Sequence, residues 1–274
     1  MTDQRQAIAG IFDRSAATYD RVGVDFFSVV GAQLVRDAGV AAGERVLDVG
    51  CGRGAVALAA AETVGPRGSV MAVDLAPTMV ELLAADAEQR GLRHVRTAVM
   101  DAQEPELEPA AYDVVLSSLV VFFLPDPATA LRAWRAATRE GGRLGITTFV
   151  GRDDERWAWL GDVFPSRDPK AGTAEARKPS PFDSTDKVHA LLGESGWSAP
   201  ATVEREHVTR FASAEQWLDW SWSHGMRMFW ERTPEQERPA VRTRAVQELA
   251  AMQERYGELS TRMQVRYTTA RASG

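Results

Sequence analysis

The segment Val46-Leu-Asp-Val-Gly-Cys-Gly-Arg-Gly54 constrains this chain more than any other. An apolar run broken by one Asp leads into three glycines at alternate positions, and an Ala/Leu-rich run follows at once. A strand that reads apolar throughout is buried on both faces, as in a parallel sheet covered by helices. The glycines let the backbone turn tightly and let a ligand approach main-chain N–H groups at a helix N-terminus. Residues 45–150 keep the same rhythm. β-like runs at 45–50, 69–75, 95–102, 111–123 and 142–150 alternate with helical runs that end at or near glycine. That alternation predicts an α/β fold with a doubly wound sheet.

The flanks differ in character. Residues 3–38 read as two helices joined near Tyr19–Asp20. Residues 151–182 carry clustered charge and four Pro without a period, which reads as an insertion or lid loop. Residues 184–197 return to a helix, and 201–211 alternate like a strand. Residues 213–230 and 233–257 read as two helices, the first capped by Ser213, and 261–272 as a last strand. The expected organisation is therefore one catalytic domain. Cap helices occupy 1–40, the sheet core 41–150, a lid 151–182, and the rest of the sheet plus C-terminal cap helices 183–274. Seven strands are expected. The cap should lie over the carboxyl ends of the strands, where such sheets bind ligands.

Composition excludes several classes. The net charge is −6, against a nucleic-acid-binding face, which needs clustered positive charge. One Cys permits no intramolecular disulfide, which suits a reducing cytoplasm. The charged N-terminus lacks the apolar segment of a signal peptide, and no run approaches the about 18 apolar residues of a membrane span. The four His are scattered and no metal is expected. Cys51 sits in the glycine turn because a small residue is needed there.

Three acids sharpen the picture. Asp48 lies two residues before Gly50, where a carboxylate repels a pyrophosphate and attracts an ammonium or sulfonium group. S-adenosylmethionine (SAM) carries both charges. Asp74 ends the second strand, the place from which an acid accepts hydrogen bonds from ribose hydroxyls. Asp101, in Val-Met-Asp-Ala, ends the third strand, within reach of an adenine amine. The glycine turn alone also fits a dinucleotide pattern if Ala55 fills its last position. The three strand-end acids together are more specific.

At these residues the sequence resembles the class I SAM-dependent methyltransferases, closely over 15–150 and more loosely beyond. VLDVGCGRG is similar to the family's first motif, AVDLAPTMVELL to the segment after it, and MDA to the adenine-contacting motif. YDVVLSSLVVFFLPDPATALRAWRAATREGGRL is similar to the fourth strand, fourth helix and fifth strand, and FDRSAATYD resembles the ubiquinone/menaquinone C-methyltransferase branch. The resemblance implies a Rossmann-like sheet, its last strand antiparallel, with 261–272 beside the fifth strand and 201–211 at the edge, under a helical cap. It implies that Asp48, Gly50 and Gly52 contact the methionine moiety, Asp74 with Leu75 the ribose, and Asp101 with Ala102 the adenine. Ser117 would lie beside the methyl-bearing sulfur, and Tyr19 would close over the cofactor. S-adenosylhomocysteine would be the product.

Methyl transfer from a sulfonium is an in-line displacement, so positioning can supply most of the catalysis and a base is needed only if the acceptor must lose a proton. His224, in the aromatic-rich run Trp222-Ser-His-Gly-Met-Arg-Met-Phe-Trp230, is the candidate base. Seven of eight Trp lie after residue 150, as an apolar or aromatic acceptor pocket could use, although helical spacing equally suits packing. Trp222, Arg227 and Trp230 are the candidate substrate contacts, and Arg143 a further cation for an acidic group. Asp126, in Leu-Pro-Asp-Pro, reads as a helix cap. The expected function is transfer of a methyl group to an O, or secondly a C, atom of a small hydrophobic or aromatic metabolite in secondary metabolism. The expected partner is that small molecule, with no nucleic acid and no membrane, and a homodimer is left open. A SAM-binding cyclase, an NAD-dependent oxidoreductase and a non-enzymatic binding module are the competing readings.

Overall fold

In a computed structural model that describes residues 2–150, 155–164 and 180–273, the chain runs α1 (Thr2–Ser15), α2 (Phe27–Asp37), β1 (Arg45–Val49), α3 (Ala57–Val64), β2 (Ser69–Asp74), α4 (Pro77–Gln89), β3 (Val95–Val99), β4 (Tyr112–Ser118), α5 (Pro127–Ala137) and β5 (Thr138–Phe149). It continues through α6 (Leu160–Val163), α7 (Thr185–Glu194), β6 (Trp197–Phe211), α8 (Ala214–Trp222), α9 (Arg227–Arg232), α10 (Arg238–Tyr256) and β7 (Leu259–Ala272). The described strands form one sheet in the order β3-β2-β1-β4-β5-β7-β6. The first five are parallel, and β7 runs antiparallel between β5 and β6. This is the doubly wound, seven-stranded sheet expected from the sequence. The order reverses between β1 and β4, which leaves a crevice at their carboxyl ends.

Alternation along each strand sends neighbouring side chains to opposite faces. Leu47, Val49, Val115, Leu144 and Ile146 pack beneath α5 and α7, around the fully buried Trp134. Val46, Val114, Leu116 and Val265 pack beneath α2, α3 and the C-terminal helices. Asp48 shares the face of Val46. Helix α2 reaches the glycine turn closely because Gly31 has no side chain: a Cβ there would lie 2.5 Å from the Ala55 carbonyl oxygen.

The caps explain the boundaries. Asp126 accepts from the Thr129 amide at the start of α5, and Ser213 from the Gln216 amide at the start of α8. The single helix expected over 213–230 is instead two. The hydroxyls of Ser221 and Ser223 bond back to the carbonyls of Leu218 and Trp220, drawing polar side chains onto the helix end. The chain then turns through His224–Met226 before α9 begins. The helix expected over 233–257 starts only at Arg238, with Pro239 in its first turn, and ends at Gly257 in the left-handed conformation.

Of the expected lid at 151–182, residues 151–154 and 165–179 lie outside the described residues. Within it, one face of residues 156–164 packs into the core. Trp157, Leu160, Val163 and Phe164 are buried, and Trp157 stacks on Trp217 at 5.5 Å. Among the described residues no helix is long and apolar enough to cross a membrane.

The Gly31 contact gives a test with a counter-intuitive sign. Ala is the better helix former by about 1 kcal/mol, yet Gly31→Ala should destabilise the protein, because its methyl meets rigid backbone. Urea denaturation should show a lower midpoint for the variant.

Candidate functional site

The turn after β1 is stitched to the end of β2. The Val73 carbonyl accepts from the amides of Gly50 (2.8 Å) and Cys51 (3.0 Å), and the Asp74 Oδ2 accepts from the Gly52 amide at 2.8 Å. Asp74 Oδ1 accepts from the Ala76 amide at 2.9 Å. Gly50, Gly52 and Gly54 all take positive φ, and a Cβ at Gly54 would lie 2.3 Å from Leu83 Cδ1. At Gly52 a Cβ would meet only the Tyr19 ring edge, at 4.0 Å, so this main chain stays open to a ligand.

Asp48 lies beneath the turn and is 1% exposed. Neither carboxylate oxygen has a hydrogen-bond partner. Burial pushes its pKa up to about 8; the Ala57 amide at the head of α3 offsets part of this without closing a hydrogen bond, and Asp74 adds to it. Burial also raises Asp74, against its amide bonds, and raises the Cys51 thiol, which is therefore no thiolate nucleophile. The same desolvation, with Asp20 and Asp74 nearby, holds the Tyr19 hydroxyl well above its usual range. This end of the site concentrates acidic groups without an internal counter-charge for Asp48, which favours a cationic ligand.

A cavity of about 290 Å³ opens from these acids. Gly50, Gly52, Asp74, Leu75, Asp101, Ala102 and Tyr19 line one end. Helix α1 roofs it with Ile8, Ala9 and Phe12, and Arg5 of that helix forms an ion pair with Asp101. Asp13 accepts from the Thr78 amide at 2.7 Å, and Arg53 donates to the Ala16 carbonyl at 2.8 Å, so α1 is tied to the core at its far end as well. Phe27 stacks on Tyr19 at 4.5 Å. The other end is aromatic. Phe26, Phe122, Phe123, Phe149, Trp220 and Phe229 line it, with Met226 and Met263. Phe26 and Phe149 lie nearly parallel, 7° apart, with ring centres 6.3 Å apart.

His224 faces this aromatic end from the turn between α8 and α9. Its Nδ1 lies 2.6 Å from the Trp220 carbonyl oxygen, which can only accept, so Nδ1 carries the proton. In the neutral ring the proton-accepting nitrogen is then Nε2. The other histidines are engaged elsewhere: His94 with the Ala61 carbonyl, His189 with Thr202 and His207 with Tyr267.

Other candidates lie outside the lining. Ser117 is fully buried and donates to the Val49 carbonyl at 2.9 Å; its neighbour Ser118, on the opposite face of β4, lines the cavity instead. Trp222, Arg227 and Trp230 form a structural corner. Trp222 stacks on Trp230 at 5.3 Å, Arg227 packs over Trp222, and its guanidinium donates to Ser15 and the Trp222 carbonyl. Arg143 is spent on Glu44 and the Ala38 carbonyl. Of the seven Trp after residue 150, only Trp220 lines the cavity among the described residues; phenylalanines form its wall. The phenylalanines that line it are drawn from separate elements and carry no shared spacing in the sequence, so only the topology collects them. Arg5 likewise gives no signal of its own.

Among known proteins, a methyltransferase-domain family model matches residues 46–142. Over 273 residues the chain is 35% identical to the nocamycin O-methyltransferase of Saccharothrix syringae, spanning 95% of this chain and 97% of that protein. It is 43% identical over 148 residues to the aklanonic acid methyltransferase DauC of Streptomyces sp. (strain C5), spanning 54% of this chain and 67% of that one. The fold matches the YcgJ protein of Bacillus subtilis with a TM-score of 0.60 at 16% identity, over 90% of this chain and 99% of that one. It also matches the [4+2]-cyclase SpnF with a TM-score of 0.55 at 18% identity, over 90% and 81%.

The corner reading of Arg227 is separable from a binding role. Arg227→Ala should cost about 1–2 kcal/mol through its lost hydrogen bonds, seen as a lower thermal midpoint, and leave cofactor affinity unchanged in calorimetry.

Proposed function

We propose that this chain, which belongs to the class I SAM-dependent methyltransferases, moves the methyl group to an oxygen of a small hydrophobic metabolite bearing an aromatic ring system. The observation that carries this reading is a single cavity with an acidic, glycine-lined end and an aromatic end. Names of the curated relatives, an O-methyltransferase of nocamycin and a methyltransferase of aklanonic acid, support oxygen over carbon and a setting in secondary metabolism. A cytoplasmic enzyme acting on a free small molecule fits this reading. Cyclisation is not favoured, since the relative that matches along nearly the whole chain is a named methyltransferase and the cyclase shares the fold alone.

The residues present fit SAM. The unpartnered Asp48 and the open main chain at Gly52 suit the cationic methionine end. Asp74 uses one lone pair on each oxygen for the turn and keeps others for ribose hydroxyls. Asp101, with Ala102, would take the adenine, and Tyr19 and Leu75 would close the sides. When bound, SAM supplies a methyl group on a positively charged sulfur. The chain's own part is to orient and to hold a proton. The aromatic wall excludes water and fixes the acceptor by ring packing. His224 Nε2 receives the proton of an acceptor hydroxyl, and the Trp220 carbonyl steadies the resulting imidazolium through Nδ1–H.

Incubation with deuteromethyl SAM and a metabolite extract, read by mass spectrometry, should give a labelled product whose fragments place the label on oxygen. SAM binding without any label would overturn methyl transfer as the reaction. Asp74→Ala should weaken SAM binding at least about tenfold, since losing a charged acceptor costs roughly 1.5 kcal/mol or more. His224→Ala should lower turnover roughly a hundredfold with SAM affinity kept. Unchanged turnover would return His224 to a packing role.

A further inference from the structure

The carboxyl of Asp48 is a buried titratable group with no hydrogen-bond partner, and its protonation has no place in the chemistry above. Its surroundings are specific. In the sheet it registers against Ala72 of β2 and Leu116 of β4, neither of which carries charge. The groups acting on it are the Ala57 amide at the head of α3 and the carboxylate of Asp74, and Asp48 and Asp74 together act on Cys51. Asp74 is held by two amides, and no hydrogen bond joins it to Asp48. Both Asp48 oxygens are closed off from solvent beneath the turn whose Gly50 and Gly52 line the cavity. An uncompensated carboxylate in such a place is costly, so it stays protonated until a positive charge arrives.

We propose that Asp48 is the charge-balancing group of this site: neutral in the ligand-free protein, it releases its proton to solvent when a cationic cofactor occupies the glycine turn, so that SAM binding is coupled to proton release. The proposal rests on the methyltransferase reading and extends it. The O–H bond of the carboxyl breaks, the proton passes to buffer, and the carboxylate left behind offsets the positive end of the ligand across the turn. SAM brings an ammonium, a carboxylate and a sulfonium, a net positive end; S-adenosylhomocysteine brings the ammonium and carboxylate alone, a net neutral one. Asp48 therefore discriminates between them and favours the methyl donor over the spent product. The Ala57 amide at the head of α3 acts on the same carboxylate and lowers the cost of its ionised form.

The sign follows from linkage. Below the value at which free Asp48 titrates, each binding event must expel a proton, so affinity rises with pH until that value and then levels off. The test is calorimetry of SAM and of S-adenosylhomocysteine on the whole protein between pH 6 and 8, in buffers of different ionisation enthalpy, with wild type and Asp48→Asn. Asn keeps the shape of the protonated acid, and subtracting the variant removes the ligand's own titration. Wild type should release on the order of one proton more than the variant on binding SAM, and its affinity should rise about tenfold more per pH unit between pH 6 and 7. The excess should be smaller with S-adenosylhomocysteine. A second readout is independent of the variant: infrared difference spectra of wild type should lose a protonated-carboxyl band on SAM addition. Equal proton counts in the two proteins, or no loss of that band, would overturn the coupling, and equal excess with both ligands would overturn the discrimination. Absence of SAM binding by wild type would instead overturn the cofactor assignment beneath it.

Discussion

Three consecutive amides hold the site together. Those of Gly50 and Cys51 share the Val73 carbonyl, and that of Gly52 goes to the Asp74 carboxylate, so the turn after β1 is fastened to the end of β2. Everything else near the cavity depends on that fastening. It sets where α3 begins, closes Asp48 off beneath the turn, and leaves the main chain at Gly52 facing open space. α2 can settle against the far side of the turn only because Gly31 lacks a side chain. A backbone bond donated to a carboxylate is stronger than one to a neutral acceptor, and here it sits where the strands on either side are already locked into register.

The cavity is polarised as a result. One end is lined by Asp74, raised by burial, with Asp48 closed off behind the turn; the other is walled by aromatic rings, and His224 stands at the aromatic side with its tautomer fixed by the Trp220 carbonyl. Such a cavity sorts its two ligands by physics rather than by shape alone. A cation is drawn to the first end and a flat apolar molecule to the second. Helix α1 spans both, with Arg5 on the acid of β3 and Phe12 against Phe123.

Much of this was legible because it is local. The glycine turn, the strand-end acids and the alternation of elements are fixed by residues close in sequence, and the doubly wound sheet followed from them; the reversed strand beside the fifth came with the family resemblance they carry. What was not legible is non-local. Trp222, Arg227 and Trp230 look like a ligand box in one dimension, yet stacking and an Arg lid turn them into a corner brace. Ser117 and Ser118 differ by one step of a pleat, and only the sheet register tells which of them meets the cavity. The phenylalanines of the wall come from α2, β5, α9 and the loops before α2 and after β4, so no window of sequence contains them. The break between α8 and α9 rested on serine hydroxyls that helical periodicity does not weigh.

The position of β7 bears on how such a chain is made. It lies inside the sheet, between β5 and β6, yet it is synthesised after both. A nascent chain that has emerged only as far as α10 therefore holds two long strands, Thr138–Phe149 and Trp197–Phe211, each with an unsatisfied edge and a gap one strand wide between them. Open edges of that length invite pairing with other chains. Until Leu259–Ala272 arrives, those edges stay open. A truncation that removes those residues would not merely shorten the fold; it would leave β6 with no strand to join.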